Sequence, residues 1–559
     1  MKRLKEEGVL EMCKTVKEMR EASKEMSETL EEMSETKPVE GCTKEANDWE
    51  APCREMVVDD ILIRIGQFER AQISLLILFF LMYVPTAYQV LITSFVGYLS
   101  PWRCVKGNNT DCKMDGIFSI GDDLYDANCH MNRSSWEFIL PKEFSFTVEW
   151  NLVCEKKTQS FLLNSALFIG WAAGTIVLGI LSDRFGRKRI LFPCWIVVVL
   201  SSFACAFVNN FWIFFALRLL MGLLQGGIFL PIFSLTAELV GPKYRSLACT
   251  TISLAYSFAQ STIGLQAWLI PNWRHLLIVC SIPYILLLAS YTYIPESVRW
   301  LLVHKKMVKA EKILRTMAAR NKKKWPLATL KPVVSVSDPG SFINLFVPKE
   351  NGKSTLILCF SWFVNALVYF GLSLASSNLG GDRYVNFTMT SLIEFPGSLI
   401  AIYFSNKIGR RLTVILSMVV SGLSCIGVSL IPQSSVYNWA RISLALIGKL
   451  FIAASYDGIS IWSAELYPTI IRNQSIGLLS TISRIGGAAA PWGSQFLSYY
   501  SKSLPFIIMG SLTIISGVSC CLLRETRGLA LKEVFGELDD DKKTGVTNNG
   551  YSNQLDVAV

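Results

Sequence analysis

The chain has 559 residues, of which 51% are hydrophobic, 12% aromatic and only 18% charged, with a mean hydropathy of +0.37. So apolar a composition excludes a soluble protein of this length and reads as a polytopic membrane protein. A formal charge of +10 points a soluble chain toward nucleic acid, but here the bases gather in loops between apolar runs, so no nucleic-acid partner is expected and the lipid bilayer is the solvent.

Residues 1–56 form a polar extension with no cleavable signal, since Met1–Glu50 is charged throughout. Glu-Met pairs ending at Met12, Met19, Met26 and Met33 recur at heptad spacing. The companion positions Thr15, Ala22, Thr29 and Thr36 are poor coiled-coil knobs, so the extension reads as a solvated tail, with a partner helix as the alternative. Twelve runs of about 20 mostly apolar residues follow. Six, from Ala71–Thr93 to Leu276–Ile294, belong to residues 57–302, and six, from Thr355–Ser377 to Leu504–Leu523, to residues 351–524. Between them, residues 303–350 are basic and broken by Pro326, Pro332 and Pro339, the mark of a surface linker near anionic headgroups.

The loop 97–158 between the first two spans carries Cys104, Cys112, Cys129 and Cys154 and the sequons at Asn108 and Asn132. Four cysteines in an oxidising compartment suggest two disulfides, with three possible pairings. Sequons and cysteines both place this loop outside the cell. Basic loops at Arg184–Arg189, Lys243 and Arg245, Lys305–Lys331 and Lys407–Arg411 lie on the other side, which puts both termini in the cytosol of a multi-pass cell-membrane protein.

Three patterns occur twice. GILSDRFGRKRI, Gly179–Ile190, returns as YFSNKIGRRL, Tyr403–Leu412. Glu238 to Arg245 returns as Glu465 to Arg472, and Glu296/Arg299 returns as Glu525/Arg527. Echoes in one register indicate a six-plus-six duplication. Asp183, Arg184, Gly186, Arg187 and Arg189 in the first copy, with Glu238, Arg245, Glu296, Arg299, Arg410, Glu465 and Arg472, are the candidate gating residues. Asp183 is expected to latch onto the other bundle while the cavity faces outward; Asn406 stands in its place in the second copy.

Gly66–Arg70 (GQFER), Glu149–Cys154 (EWNLVC), Ser182–Arg189 (SDRFGRKR), Pro295–Leu302 (PESVRWLL) and Ala464–Thr469 (AELYPT) stand in an order and spacing that resembles the major facilitator superfamily, and within it solute carrier family 22. Tyr369–Ser373, Asn378–Asp382 and Leu392–Pro396 look closest to its carnitine and zwitterion branch. The resemblance implies an all-α fold of twelve transmembrane helices in two six-helix bundles around a cavity that opens to each side in turn.

Charged residues within spans are functional candidates by default. Glu394, Asp457 and Arg484 fall near one plane in the second half. Arg218 lies close enough to a boundary to snorkel. By resemblance, Arg484 stands where cation-specialised relatives carry aspartate and where carnitine and anion relatives carry arginine, which favours a carboxylate-bearing substrate gripped by a guanidinium. Glu394, Asp457, Tyr369 and Tyr456 would meet an ammonium, with Phe370 and Gln225 at other family cavity positions. The structural alternative is an Asp457–Arg484 ion pair. The chain departs from the family where Ser398 replaces a lysine common in anion transporters, where Ile228 replaces the carnitine branch's asparagine, and at Asp457.

Gly352-Lys-Ser354 lacks the first glycine of a phosphate loop, and His130, His275 and His304 are scattered, so no nucleotide, metal or other cofactor and no enzymatic chemistry are expected. Sodium coupling is left open by the resemblance alone. Residues 525–559 form a polar cytosolic tail whose last residues, Val557-Ala-Val559, match a weak pattern for strand addition to a PDZ-type partner. The sequence thus reads as a secondary transporter of small organic ions, carnitine-like zwitterions or cations first. The alternatives are an organic anion transporter or a non-transporting receptor or scaffold.

Overall fold

A computed structural model describes residues 54–105, 112, 114–119, 122, 124–326, 328–331, 345–347, 349–376, 379–432, 435–467 and 469–527. The heptad-spaced methionines, Asn108 and the PDZ-like tail lie outside the described residues. A small unit pairs strand Arg54–Met56 in parallel with Ala328–Leu330. The second unit holds every long helix.

Twelve long helices follow in chain order: α1 (Arg70–Leu91), α2 (Lys157–Phe185), α3 (Arg187–Phe207), α4 (Phe211–Leu239), α5 (Arg245–Leu269), α6 (Trp273–Leu286), α7 (Lys349–Ala375), α8 (Arg383–Lys407), α9 (Arg410–Leu430), α10 (Asn438–Leu466), α11 (Thr469–Pro491) and α12 (Leu504–Ser519). Side-chain caps start several of them: Asn210 accepts from the N–H groups of Trp212 and Ile213, Asn272 from Arg274 and His275, and Asp382 from Tyr384 and Val385. Pro85, Pro193, Pro231 and Pro283 sit inside helices, as membrane helices allow. Among the described residues, ten helices are long and apolar enough to cross a membrane. α5 and α11 are not among them; their polar residues include Ser257, Gln260, Ser483 and Arg484, all buried. α8 is broken close to Pro396: its backbone turns at Ile393, between Arg383–Leu392 and Glu394–Lys407.

Small residues bring α2 and α4 to backbone contact. A Cβ on Gly174 would lie 1.9 Å from the Leu223 carbonyl oxygen, and one on Gly222 2.0 Å from that of Leu167. Arg218, on the same row as Gly222 and Gly226, does not snorkel. It is wholly buried and donates to the Gln89 carbonyl at 2.8 Å with its guanidinium over Phe214, because α4 turns this face toward α1 instead of the lipid. The second half packs around Trp362, Val364, Met418, Trp462 and Met509.

The loop between α1 and α2 is a subdomain of its own. Strands Trp102–Cys104, Ile117–Phe118 and Trp136–Phe138 form an antiparallel sheet with the first in the middle, over a core of Trp102, Phe118, Tyr125 and Trp136. The disulfides join Cys104 to Cys112 and Cys129 to Cys154. Asn132 is exposed.

Candidate functional site

The loops at the basic end repeat in geometry as well as in sequence. α2 passes into α3 at Gly186, with φ +111°, and a Cβ there would sit 2.6 Å from Glu296 Oε2. Glu296 in turn accepts the N–H of Lys188 at 3.1 Å. In the second half Gly409 has φ +105°, a Cβ on it would lie 2.5 Å from Glu525 Oε2, and Glu525 accepts the N–H groups of Arg410 and Arg411 at 2.9 and 3.0 Å. Each glycine therefore lets a carboxylate close over the first turn of the next helix. Burial raises the Glu525 carboxyl, but the backbone donors of Arg527, Arg410, Thr526 and Arg411 outweigh it and hold the group below its ordinary range. Arg187 lies 3.6 Å from Glu238 as Arg410 lies 3.1 Å from Glu465.

Other gating candidates are satisfied nearby. Arg245 and Arg299 both bind Asp59, from the short helix Val58–Ile65, the second at 2.6 Å. Sequence reading missed Asp59, whose signal is an acidic first turn on an amphipathic helix just before GQFER. Asp183 is exposed and pairs with Arg187 at 3.0 Å. Arg184 and Arg189 are exposed, and Arg472 donates to the Tyr467 carbonyl at 3.4 Å. Among the described residues, no ion pair at this end joins the two halves directly: each lies within one half or involves the linker 303–350.

At the cysteine-loop end the two halves meet. Asn164 of α2 donates to Gln495 Oε1 at 2.9 Å, Ser165 donates to the Ala488 carbonyl at 2.6 Å, and Trp492 donates to Ser165 at 3.1 Å. Phe161 packs on Trp492, Phe496 and Tyr499. Phe95 stacks on Tyr384 with ring centres 5.7 Å apart, and Lys502 reaches Asp122 in the loop at 2.6 Å.

Between these ends lies a polar centre. The break in α8 leaves Glu394 at the first turn of the second segment, pointing at α5, α7 and α10. Its carboxylate accepts from Ser257 at 2.8 Å, Gln260 at 2.8 and 3.0 Å and the Tyr369 hydroxyl at 2.8 Å. Lys449 of α10, fully buried, pairs with it at 2.9 Å and also donates to Ser373 and to the Tyr369 carbonyl, with its ammonium 3.3 Å from the centre of the Tyr369 ring. Sequence reading missed this lysine. The signal was plain: a lone cation in the middle of a span, about two helical turns before Asp457.

Asp457 takes the Ser398 hydroxyl at 2.6 Å. It forms no ion pair with Arg484, so the structural alternative for these two is not what the molecule adopts. Arg484 is buried with its guanidinium 3.9 Å over Trp171 of α2 and 5.4 Å from the Phe229 ring of α4. Among the described residues no carboxylate lies within 4.0 Å of it, and its Nε has no hydrogen-bond partner. Tyr456 bonds Ser483, the neighbour of Arg484, at 2.5 Å and packs on Tyr369 and Trp362. Phe370 meets Phe168 across the halves at 4.7 Å. Gln225 stands apart, donating to the Thr86 carbonyl at 3.3 Å within the first half.

Chemically, Glu394 is neutralised within the protein, whereas Arg484 is a desolvated cation walled by aromatic faces. A model of the Major Facilitator Superfamily matches residues 156–491 and 354–540. The chain is 33% identical over 406 residues to human solute carrier family 22 member 13, covering 72% of this chain and 73% of that one. It is 32% identical over 418 residues to the human organic cation/carnitine transporter 2, with 72% and 73% covered. The chain belongs to the major facilitator superfamily, and within it to solute carrier family 22. A Drosophila melanogaster organic cation transporter protein is 32% identical over 410 residues, covering 70% of this chain and 73% of that one. Among solved structures, the proton:xylose symporter XylE superposes with a TM-score of 0.57 at 18% identity, over 83% of this chain and 98% of that one, which supports the twelve-helix fold. As a member of solute carrier family 22 the chain is a multi-pass membrane transporter and not an enzyme.

Proposed function

We propose that this member of solute carrier family 22 carries small organic ions across the plasma membrane by alternating access, and that it selects substrates with a carboxylate, carnitine-like zwitterions first. The observation that carries the reading is Arg484, a buried guanidinium with aromatic walls and no carboxylate partner among the described residues. Leaving such a cation without a counter-charge is costly, and a substrate carboxylate can offer it two parallel hydrogen bonds, one of them to the unpartnered Nε. Glu394 is already bound to Lys449, so the acid left for a substrate ammonium is Asp457, with the mutually packed Tyr456 and Tyr369 rings as the aromatic faces. This narrows the role given to Glu394 by sequence alone, from substrate contact to support.

In this reading the cysteine loop faces outward, carrying its disulfides and the exposed Asn132, and the basic loops and both termini face the cytosol. The closed cysteine-loop end and the self-paired basic end then describe a carrier open toward the cytosol.

Uptake of labelled carnitine, tetraethylammonium and p-aminohippurate into proteoliposomes tests the proposal. Carnitine is expected to accumulate, and Arg484→Asp to lower its apparent affinity by roughly 30-fold or more while favouring the cation. Preference for p-aminohippurate would make it an organic anion transporter, and no flux across the panel would point to a receptor or scaffold. Unchanged selectivity in Arg484→Asp would refute the site. Replacing sodium with N-methylglucamine decides whether transport is sodium-coupled.

A further inference from the structure

An exposed groove lies apart from the polar centre. Pro283 removes a hydrogen bond from the α6 ladder, and beyond Leu286 the helix tightens into a 3-10 turn, Leu287–Thr292. Between this turn and α1 runs a groove of about 340 Å³ lined by Ile77, Leu78, Leu81, Leu286, Leu287 and, toward the basic end, Ser74, Ser290 and Tyr293. Its apolar walls are exposed, Leu286 by 72%. The polar end is built: the Tyr293 hydroxyl and Ser74 Oγ are 2.7 Å apart, and the Arg320 guanidinium lies 4.2 Å over the Tyr293 ring.

Arg320 ends the helix Met307–Arg320, whose next residue, Asn321, accepts the N–H of Ala71 at 2.8 Å and so pins it to the start of α1. Arg70, one turn before Ser74, is exposed there too. Lys323 is taken by Glu69 at 3.2 Å, but among the described residues neither Arg70 nor Arg320 has a carboxylate within 4.0 Å. Two cations without a carboxylate partner among the described residues thus lie by the polar end of the groove, Arg320 over Tyr293 and Arg70 one turn before Ser74.

We propose that this groove binds one anionic phospholipid from the leaflet on the basic-loop side, its acyl chain along Ile77, Leu81 and Leu286 and its phosphate on Arg320 and Arg70. The charge selects the headgroup and the groove holds the tail, so a zwitterionic lipid is held less well. Because the lipid would bridge α1, α6 and the linker helix, it stabilises the first half independently of the substrate.

Native mass spectrometry of the full chain in detergent doped with phosphatidylserine or phosphatidylcholine tests this. One phosphatidylserine is expected to be retained, with roughly tenfold less in Arg70→Glu/Arg320→Glu and little phosphatidylcholine in either protein. Leu286→Trp, which fills the groove and keeps the charges, should also lose the lipid. Equal retention of the two lipids by the wild type, or full retention of phosphatidylserine by either variant, overturns the proposal. Should the double variant melt below wild type in lipid-free detergent, Arg320→Gln is read by the same criterion.

Discussion

The two halves agree at their loops and disagree in their cores. Gly186 under Glu296 and Gly409 under Glu525 are near copies, as are Arg187–Glu238 and Arg410–Glu465. Inside, among the described residues, the first half buries Arg218, whose Nη1 donates to the Gln89 carbonyl while its Nε and Nη2 have no partner. The second half gathers Glu394, Lys449, Asp457 and Arg484. Under the proposed function, the duplicated loops would serve what both halves do alike, the movement, and the diverged core of the second half would serve recognition of the substrate.

The sharpest way to break this comparison is at Lys449. Removing it leaves Glu394 buried and uncompensated, which costs about 3–5 kcal/mol. Lys449→Ala should therefore fold poorly, read as lost monodisperse protein in detergent, whereas Glu394→Gln/Lys449→Gln should restore folding by removing both charges. If the single variant is as stable as wild type, the pair is not the brace that joins α5, α7, α8 and α10.

The loops were legible in the sequence because their constraints are local. A glycine that must adopt positive φ, a carboxylate that closes on it and an arginine beside them recur at fixed spacing, so three echoes revealed six plus six helices. The polar centre was only half legible. Glu394, Asp457 and Arg484 stand out against apolar spans, but which acid meets which base depends on how α5, α8, α10 and α11 rotate against each other. No spacing encodes that. Hence Asp457 was open to pairing with Arg484, while the actual pair used Lys449. Arg218 was misread for the same reason: depth along a helix can be counted, but the direction of a face comes from packing.

A smaller effect is expected where the halves agree. Gly186→Ala and Gly409→Ala each force a side chain into the left-handed region and onto the capping carboxylate, costing about 1–2 kcal/mol. The two costs should match within error in thermal unfolding, since the geometry matches. A large inequality would show that the two loops are copies in form only.

Glu525 offers a test of that cap by pH. Its carboxyl is held below the ordinary range, so it contributes stability at pH above about 4.3, where the unfolded chain is also ionised, and loses it as pH falls through the lower folded value. Glu525→Gln should melt below wild type at pH 7 by the equivalent of about 0.5–2 kcal/mol. The gap should narrow on acidification; a gap independent of pH would assign the loss to packing instead of charge.

The smallest effect in stability is expected where the first loop carries an acid that the second lacks, Asp183 against Asn406. Asp183 is exposed and pairs only within its own turn, and such surface pairs are worth about 0–1 kcal/mol. Asp183→Asn should therefore leave the melting temperature nearly unchanged. Its consequence belongs to the other state: if Asp183 reaches the second half when the basic end closes, losing it destabilises only that closed form. Cysteines placed at the basic end should then become more reactive to impermeant thiol reagents, and transport should slow, with the resting structure intact. Unaltered accessibility and rate in Asp183→Asn would mean that the first loop, like the second, only turns the chain.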